Sequence, residues 1–460
     1  MLKKFFGTKD FYRHLMVLII PIMLQNGITN FVNMLDNVMV GQVGTAEMTG
    51  VAVSNQLIFV INLCIFGALS GAGIFGAQFF GKGDHTGLKH TLRFKIIFCS
   101  LLTLICTLII IVFGENLIML YLKGEGSPEN AALSLKFAKD YINIMLVGLL
   151  PYTIAQCYAS TLRETGKTVL PMLAGVSAVS VNLILNYILI FGHLGTPKLG
   201  VNGAAIATVI SRFVELGIVV IWTHIHKNEN QFIIGIYKSA RVPLSLCKNI
   251  FIKGLPLLVN EALWSTGIAT VNQCYSIRGL NVVAGFNISQ TFYNVFSVAF
   301  LSVGMAIGIV LGQQLGSGKI NQAKTTARHL ITFSVLISVA VGIIYTLVSG
   351  IIPKAYNTTE EVRSLATGIM RISALTMPLE AVANATYFTL RSGGKTLITF
   401  LFDSCFVWGV TVVSAYILSN FTALDILTIY FICQFLNIIK CIIGLVLVEK
   451  GHWIKRIVAD

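Results

Sequence analysis

Residues 21–50 read PIMLQNGITNFVNMLDNVMVGQVGTAEMTG, and the pattern returns without a gap 235 residues further on. Pro21 is matched by Pro256, Gly44 by Gly279 and Gly50 by Gly285. Asn26, Asn30, Asn33 and Asn37 fall at i, i+4, i+7 and i+11, which puts them on one face of an apolar helix. In the second copy Glu261, Ser265 and Asn272 stand at the positions of Asn26, Asn30 and Asn37. The first copy also holds an acid, Asp36. Two copies of an apolar helix with a polar stripe constrain the chain to two related halves.

With 55% hydrophobic and 11% charged residues, and a mean hydropathy of +0.80, the chain lies outside soluble globular usage. It reads as a polytopic membrane protein. The net charge of +14 therefore speaks to topology, not to nucleic acid. The basic start MLKKFFGTKDFYRH lacks a following small-residue cleavage site and is read as leading into the first spanning helix. Nine cysteines stand singly, without metal-binding spacing, and are read as buried thiols. No P-loop ending in Lys-Ser/Thr is present, which argues against an ATP-driven pump.

Apolar segments of spanning length fall at 12–40, 51–80, 92–113, 133–159, 168–192, 199–223, 249–277, 285–315, 326–350, 361–390, 396–420 and 426–448. The repeat continues into 77–93 and 312–328, with Gln78 matched by Gln313, Gly81 by Gly316 and Arg93 by Arg328. It resumes where TLRETGKT at 161–168 matches TLRSGGKT at 389–396, now 228 residues apart. Six helices per copy make a parallel repeat. The expected fold is an all-α polytopic membrane protein, with twelve transmembrane helices in two pseudo-symmetric six-helix bundles. The expected lobes are 1–223 and 249–460, with 224–248 as the cytoplasmic link. Of the lysines and arginines near helix ends, 23 fall on one side, including Lys3, Lys4, Arg93 and Lys95, and 7 on the other, including Lys123. That asymmetry places both termini in the cytoplasm of a plasma-membrane protein. Glycines 67, 71, 73 and 76 read as helix-packing positions.

Charges inside spanning helices cost a few kcal/mol each and need a reason. Asp36 lies beside the asparagine face, where it either reaches for the outer headgroups or forms a cation or proton site. Asn182 and Asn186, four apart, share a face, and Thr208 stands on the next helix. A carboxylate, two amides and a hydroxyl suit Na+ or a hydrogen-bonded proton equally, although asparagines also serve as interhelical glue. Glu261 and Glu380 sit mid-helix, either as protonated structural donors or as the lining of a polar cavity coupled to an ion or a drug. Arg212 and Glu215, three apart, are expected to neutralise each other. Asp403 and Arg371 stay unassigned, a pairing across helices being one option.

The Asp36 helix, the LPLLVNE stretch around Glu261, the run VNLILNYILIFG to LGVNGAAIAT and the paired LRxxGKT ends resemble the multidrug and toxic compound extrusion family over nearly the whole chain. The resemblance implies two six-helix bundles around a V-shaped cleft, and antiport of organic, often cationic, compounds against Na+ or H+. It maps the family's amino-lobe cation site onto Asp36, Asn182, Asn186 and Thr208. Asn186 stands where many members carry Asp, which weakens Na+ binding there. The helix-seven acid of the norfloxacin-exporting branch corresponds to Glu261. The helix-ten acid, usually Asp, corresponds to Glu380.

The resulting expectation is a secondary-active, cation-coupled multidrug efflux antiporter of the bacterial type. It needs no cofactor beyond the coupling ion, and Na+ at Asp36 or at Glu261 and Glu380 is its possible metal. Its partners are small organic cations and the bilayer, not nucleic acid, and the chain is read as a monomer. A flippase for lipid-linked precursors or polysaccharides is the rival within transport. A membrane-embedded enzyme is the rival outside it, disfavoured because His85 and His90 lack a catalytic partner in the sequence.

Overall fold

The computed structural model describes residues 6–122 and 128–458. Lys3, Lys4 and Lys123 lie outside the described residues, as do the side chains of Asn33, Met34, Asn37, Val38 and Pro128. Twelve long helices follow one another: α1 (Lys9–Gly41), α2 (Thr45–Lys82), α3 (His85–Leu122), α4 (Pro128–Glu164), α5 (Val169–Phe191), α6 (Gly200–Ile225), α7 (Leu244–Ser276), α8 (Leu280–Gly316), α9 (Ile320–Val348), α10 (Glu360–Ser392), α11 (Thr396–Phe421) and α12 (Ile426–Lys450). Among the described residues, eleven are long and apolar enough to cross a membrane. The other, α7, has 33 residues but carries Lys253, Asn260, Glu261 and Asn272. α3 runs on to Leu122 and α7 begins at Leu244, beyond the apolar runs that announce them. Hydropathy marks the part of a helix that sits in hydrocarbon, whereas the backbone hydrogen bonding continues into the interface.

Four of the helices carry an internal proline: Pro21 in α1, Pro151 in α4, Pro256 in α7 and Pro378 in α10. The first and third are repeat mates, and Pro378 follows Pro151 at nearly the later repeat offset. Each proline removes one helix hydrogen bond, which membrane helices tolerate where neighbouring groups take up the freed carbonyl.

The helices form two compact units. One comprises Met1–Met23, Ala77–Asp84 and Asn249–Asp460; the other comprises Leu24–Gly76 and His85–Lys248. In the first, called the carboxy-terminal unit, Leu15 and Ile19 of α1 join Val303, Ile307 and Leu311 of α8 and the fully buried Trp453 in one core. The end of α2 crosses the end of α8 inside this unit, and the crossing is reciprocal. A Cβ on Gly81 would stand 2.7 Å from the Gln313 Cα, and one on Gly316 the same distance from the Gln78 Cα. The repeat glycines thus lie against each other's preceding repeat glutamine, the close approach small residues permit in lipid. Gln78 is fully buried and uses its whole amide. It donates to Ser392 O at 3.0 Å and Lys455 O at 3.2 Å, and accepts from Ile457 N at 2.8 Å.

The second, amino-terminal unit is joined by polar pairs between helices. Thr103 and Thr153 are 2.8 Å apart across α3 and α4, and Ser54 of α2 donates to Ala138 O of α4 at 3.0 Å. Lys95 counts with the cytoplasmic-side charges in the sequence, yet it is fully buried in α3. It donates to both oxygens of Glu164, at 2.5 and 2.7 Å, and to Ser160 and Thr161 at 3.1 Å each. Gly73 of α2 leaves room for that carboxylate, since a Cβ there would be 2.9 Å from Glu164 Oε1.

The repeat arginines each fasten the end of their repeat. Arg93 donates to the Ile236 and Gly235 carbonyls at 2.7 and 2.6 Å, holding the segment after α6. Arg328 grips Glu449 near the end of α12 with two bonds, at 2.6 and 2.5 Å. In the same segment after α6, Lys167 donates to Glu229 at 3.0 Å, and that bond holds the exposed Glu229 carboxyl below the usual carboxylate range. A larger residue at the α2–α8 crossing must displace backbone. Gly316→Val is expected to cost at least ~1–3 kcal/mol of stability. Gly217→Ala, whose Cβ meets nothing within 4 Å, should be neutral. Thermal unfolding of the purified protein in detergent checks both.

Candidate functional site

The residues singled out in the first repeat converge in the amino-terminal unit. Asn186 of α5 donates to Asp36 Oδ1 of α1 at 2.7 Å. Asn182, one turn back on α5, is 3.2 Å from the Asn186 amide and 3.1 Å from Thr208 Oγ1 of α6. The four-residue spacing on α5 aims both amides at α1, and the two asparagines are 6% and 1% exposed. The burial matters because an ionised carboxylate here must be answered by protein donors instead of water.

The Asn182 side chain satisfies its neighbours with its N–H donating to Asp36 Oδ2 at 3.0 Å and its oxygen accepting from Thr208 Oγ1 at 3.1 Å. Asn186 Oδ1 is buried beside this group with no hydrogen-bond partner, a further oxygen open to a positive charge. Carboxylate, amide and hydroxyl oxygens are the hard donors that Na+ takes. The side chains of Asn33 and Asn37, expected on the same face of α1, lie outside the described residues.

In the carboxy-terminal unit the two glutamates have separate partners. Tyr387 of α10 donates a long bond of 3.5 Å to Glu261 Oε1 on α7. Glu380, also on α10, takes a short hydrogen bond from Tyr293 of α8. No direct contact joins the two carboxylates among the described residues. Asn260, the neighbour of Glu261, is 1% exposed and donates to Asp403 Oδ2 of α11 at 3.0 Å. Ser404 donates to the Asn260 side-chain oxygen at 2.7 Å.

Two pairings open in the sequence come out differently. Asp403 forms its ion pair with Lys440 of α12, while Arg371 is exposed. Arg212 and Glu215 do not pair. Glu215 accepts from Gln156 of α4 at 3.2 Å, and Arg212 lies over the Tyr152 ring at 5.1 Å with its Nη1 buried and unpartnered. Three residues apart on α6, both side chains turn to α4, where partners at the correct depth outcompete the local neighbour. Lys440, Asn260 and the two tyrosines were not singled out from the sequence. Lys440 carried a usable signal, as a lone lysine within the apolar run LNIIKCIIG. Asn260 carried a weaker one, at the repeat position of Gln25, which itself accepts from Arg163 at 3.2 Å.

An all-helical, multi-pass membrane protein with two sequence-related sets of helices and carboxylates held among buried amides and hydroxyls is a transport protein by class. The MatE sequence profile matches residues 21–188 and 256–417, so it covers both repeats. The chain belongs to the MatE family. It is 26% identical to the probable multidrug resistance protein NorM of Thermotoga maritima, over 97% of this chain and 94% of that one. It is also 26% identical to the multidrug resistance protein MdtK of Pectobacterium atrosepticum, over 88% of this chain and 87% of that one. In three dimensions it is similar to the MATE transporter VcmN of Vibrio cholerae, with a TM-score of 0.85, 17% identity and coverage of 95% and 96% of the two chains. An outward-facing multidrug resistance MATE family transporter of the MOP superfamily superposes with a TM-score of 0.82, at 19% identity and coverage of 95% and 96%.

The Asn186–Asp36 bond sets an expectation for stability. Asn186→Ala leaves the carboxylate short of a donor and should cost ~1.5–3 kcal/mol, the range for bonds to charged groups. The same change in an Asp36→Asn background should cost clearly less, because no charge then needs the donor. A double-mutant cycle of thermal unfolding in detergent separates the two.

Proposed function

We propose that the protein is a secondary-active multidrug efflux antiporter, exporting organic, often cationic, compounds in exchange for Na+ or H+. The observation that carries this reading is the Asp36 site, where a membrane carboxylate is held by the N–H groups of Asn182 and Asn186 beside the unpartnered Asn186 oxygen. A proton or Na+ at Asp36 would meet carboxylate and amide oxygens, the hard donors a coupling ion takes. The names of the relatives as multidrug resistance proteins support organic compounds as the exported class. Antiport follows if the exported cation and the coupling ion each weaken the other's binding, and linkage makes that antagonism reciprocal.

Asp36→Asn is expected to abolish dye efflux from vesicles at normal membrane insertion, whichever ion drives transport. Imposing a Na+ jump and a pH jump separately on the wild type identifies the ion. Undiminished efflux by well-inserted Asp36→Asn protein would falsify the assignment. The charge asymmetry supports a cytoplasmic-membrane protein with both termini inside. Green fluorescent protein fused at either end should then fluoresce, and alkaline phosphatase fused there should be inactive.

A further inference from the structure

The carboxy-terminal unit holds a cation of its own. Lys440 lies in the middle of α12, 9% exposed, within an apolar stretch where a lysine is costly unless it is answered. Its ammonium forms a close ion pair with Asp403, and Asp403 takes a second bond from Asn260 at 3.0 Å. From Asn260 a longer step of 3.5 Å reaches the Tyr387 hydroxyl, and another of 3.5 Å reaches Glu261. One ammonium therefore stands at the end of a polar chain that links two carboxylates, Asp403 and Glu261.

Two further features distinguish this arrangement from a packing pair. α11 is wound as π-helix at Leu401–Cys405 and again at Val407–Val412. The widened turn holds both Asp403 and Ser404, which bond the same asparagine of α7. π turns of this sort recur at functional sites because they re-aim side chains at a cost in helix regularity. Lys440 also lines a cavity of 340 Å³ walled by Ile398, Leu401, Phe402, Cys405 and Ile443. The lysine has space beside it, on the side away from its ion pair with Asp403.

The later repeat offset adds a comparison. It places Lys440 at the position of Arg212 and Asp403 at that of Gly175. Each last helix of a repeat thus bears one cation within its apolar interior. In the amino-terminal unit the Gly175 position carries no acid, and Gln25 packs there instead, 2.7 Å from where a Cβ would be. In the carboxy-terminal unit the matching position carries Asp403, which holds the cation.

We propose that Lys440 is a resident counter-ion that decides how strongly the carboxy-terminal unit binds monovalent cations, both the small inorganic ion and the organic ammonium or phosphonium compounds of the exported class. Tethered at Asp403, its ammonium denies that carboxylate to free cations. It leaves the Glu261 end of the chain as the part that takes them, and it weakens their attraction there. This inference rests on the reading of the protein as a cation-coupled exporter.

The two partners of the pair then have opposite effects, which a purely structural pair would not have. Lys440→Met exposes the Asp403 carboxylate and removes the competing charge. It should tighten binding of Na+ and of tetraphenylphosphonium by roughly tenfold, within the ordinary range of coupling between sites. Asp403→Asn leaves an unpaired ammonium at the far end of the chain from Glu261, and should weaken both by a similar factor. The double variant Asp403→Asn/Lys440→Met should lose the gain made by Lys440→Met alone. The measurement is binding of each probe to the purified full-length protein in detergent, by radioligand for tetraphenylphosphonium and by Na+-dependent thermal shift. If both single variants move affinity in the same direction, or neither moves it, the proposal fails. If Lys440→Met does not fold, Asp403→Asn decides, since unchanged or tighter binding by that variant also overturns it. The reading as a cation-coupled exporter is tested separately by wild-type efflux. The gain in Na+ binding expected of Lys440→Met, reversed in the double variant, is read without reference to transport.

Discussion

Charge without water is the constraint on which this structure depends. A carboxylate or ammonium placed between membrane helices loses its hydration, and the loss is recovered only by partners at bonding distance. Lys95 and Glu164 meet this demand completely, with two hydroxyls and a close ion pair inside the amino-terminal unit. A pair of that kind is a weak source of net stability but a strict specifier of which helix faces meet, because separating its members strands both charges. Asp36 meets the demand in another way, through the neutral amide donors of Asn182 and Asn186. An ion pair neutralises its charges internally, whereas neutral donors hold a carboxylate in place and leave its charge uncancelled.

The internal repeat shows the same constraint applied twice with different outcomes. Its glycines cross α2 and α8 against each other's glutamine, and its arginines each fasten the end of their repeat, Arg93 the segment after α6 and Arg328 the last turns of α12. These are backbone-scale tasks, and both copies keep them. The polar residues of the first helix in each copy have diverged. In the amino-terminal unit the acid sits at Asp36 among α5 and α6. In the carboxy-terminal unit Glu261 of α7 and Asp403 of α11 are linked through Tyr387 and Asn260, while Glu380 of α10 takes its bond from Tyr293. Packing against a fixed neighbour tolerates little change, whereas an ion site can be built from any face that brings oxygens together.

Much of this was legible in the chain itself. The spanning segments follow from hydropathy, and the two-copy plan from an ungapped match that includes a proline and two glycines. Asn182 and Asn186 could be put on one helical face because that face depends only on the 3.6-residue period. Asp36 could be placed beside oxygen donors for the same reason. Helix ends were less legible, since an amphipathic end continues a helix without continuing its hydropathy.

Which charge answers which, by contrast, was decided by tertiary structure. Arg212 and Glu215 are close in sequence but both bind toward α4. Asp403 had two basic residues on other helices to choose from, and it meets Lys440 instead of Arg371. The deciding factors are the rotation of α12 about its axis and the widened turn of α11, and neither leaves a trace in local periodicity. The sequence determined which residues must be answered by a partner, because the cost of burying a charge is a property of the residue and its span. The fold decided the partner, because bonding distance depends on how separate helices are rotated and set at depth against one another.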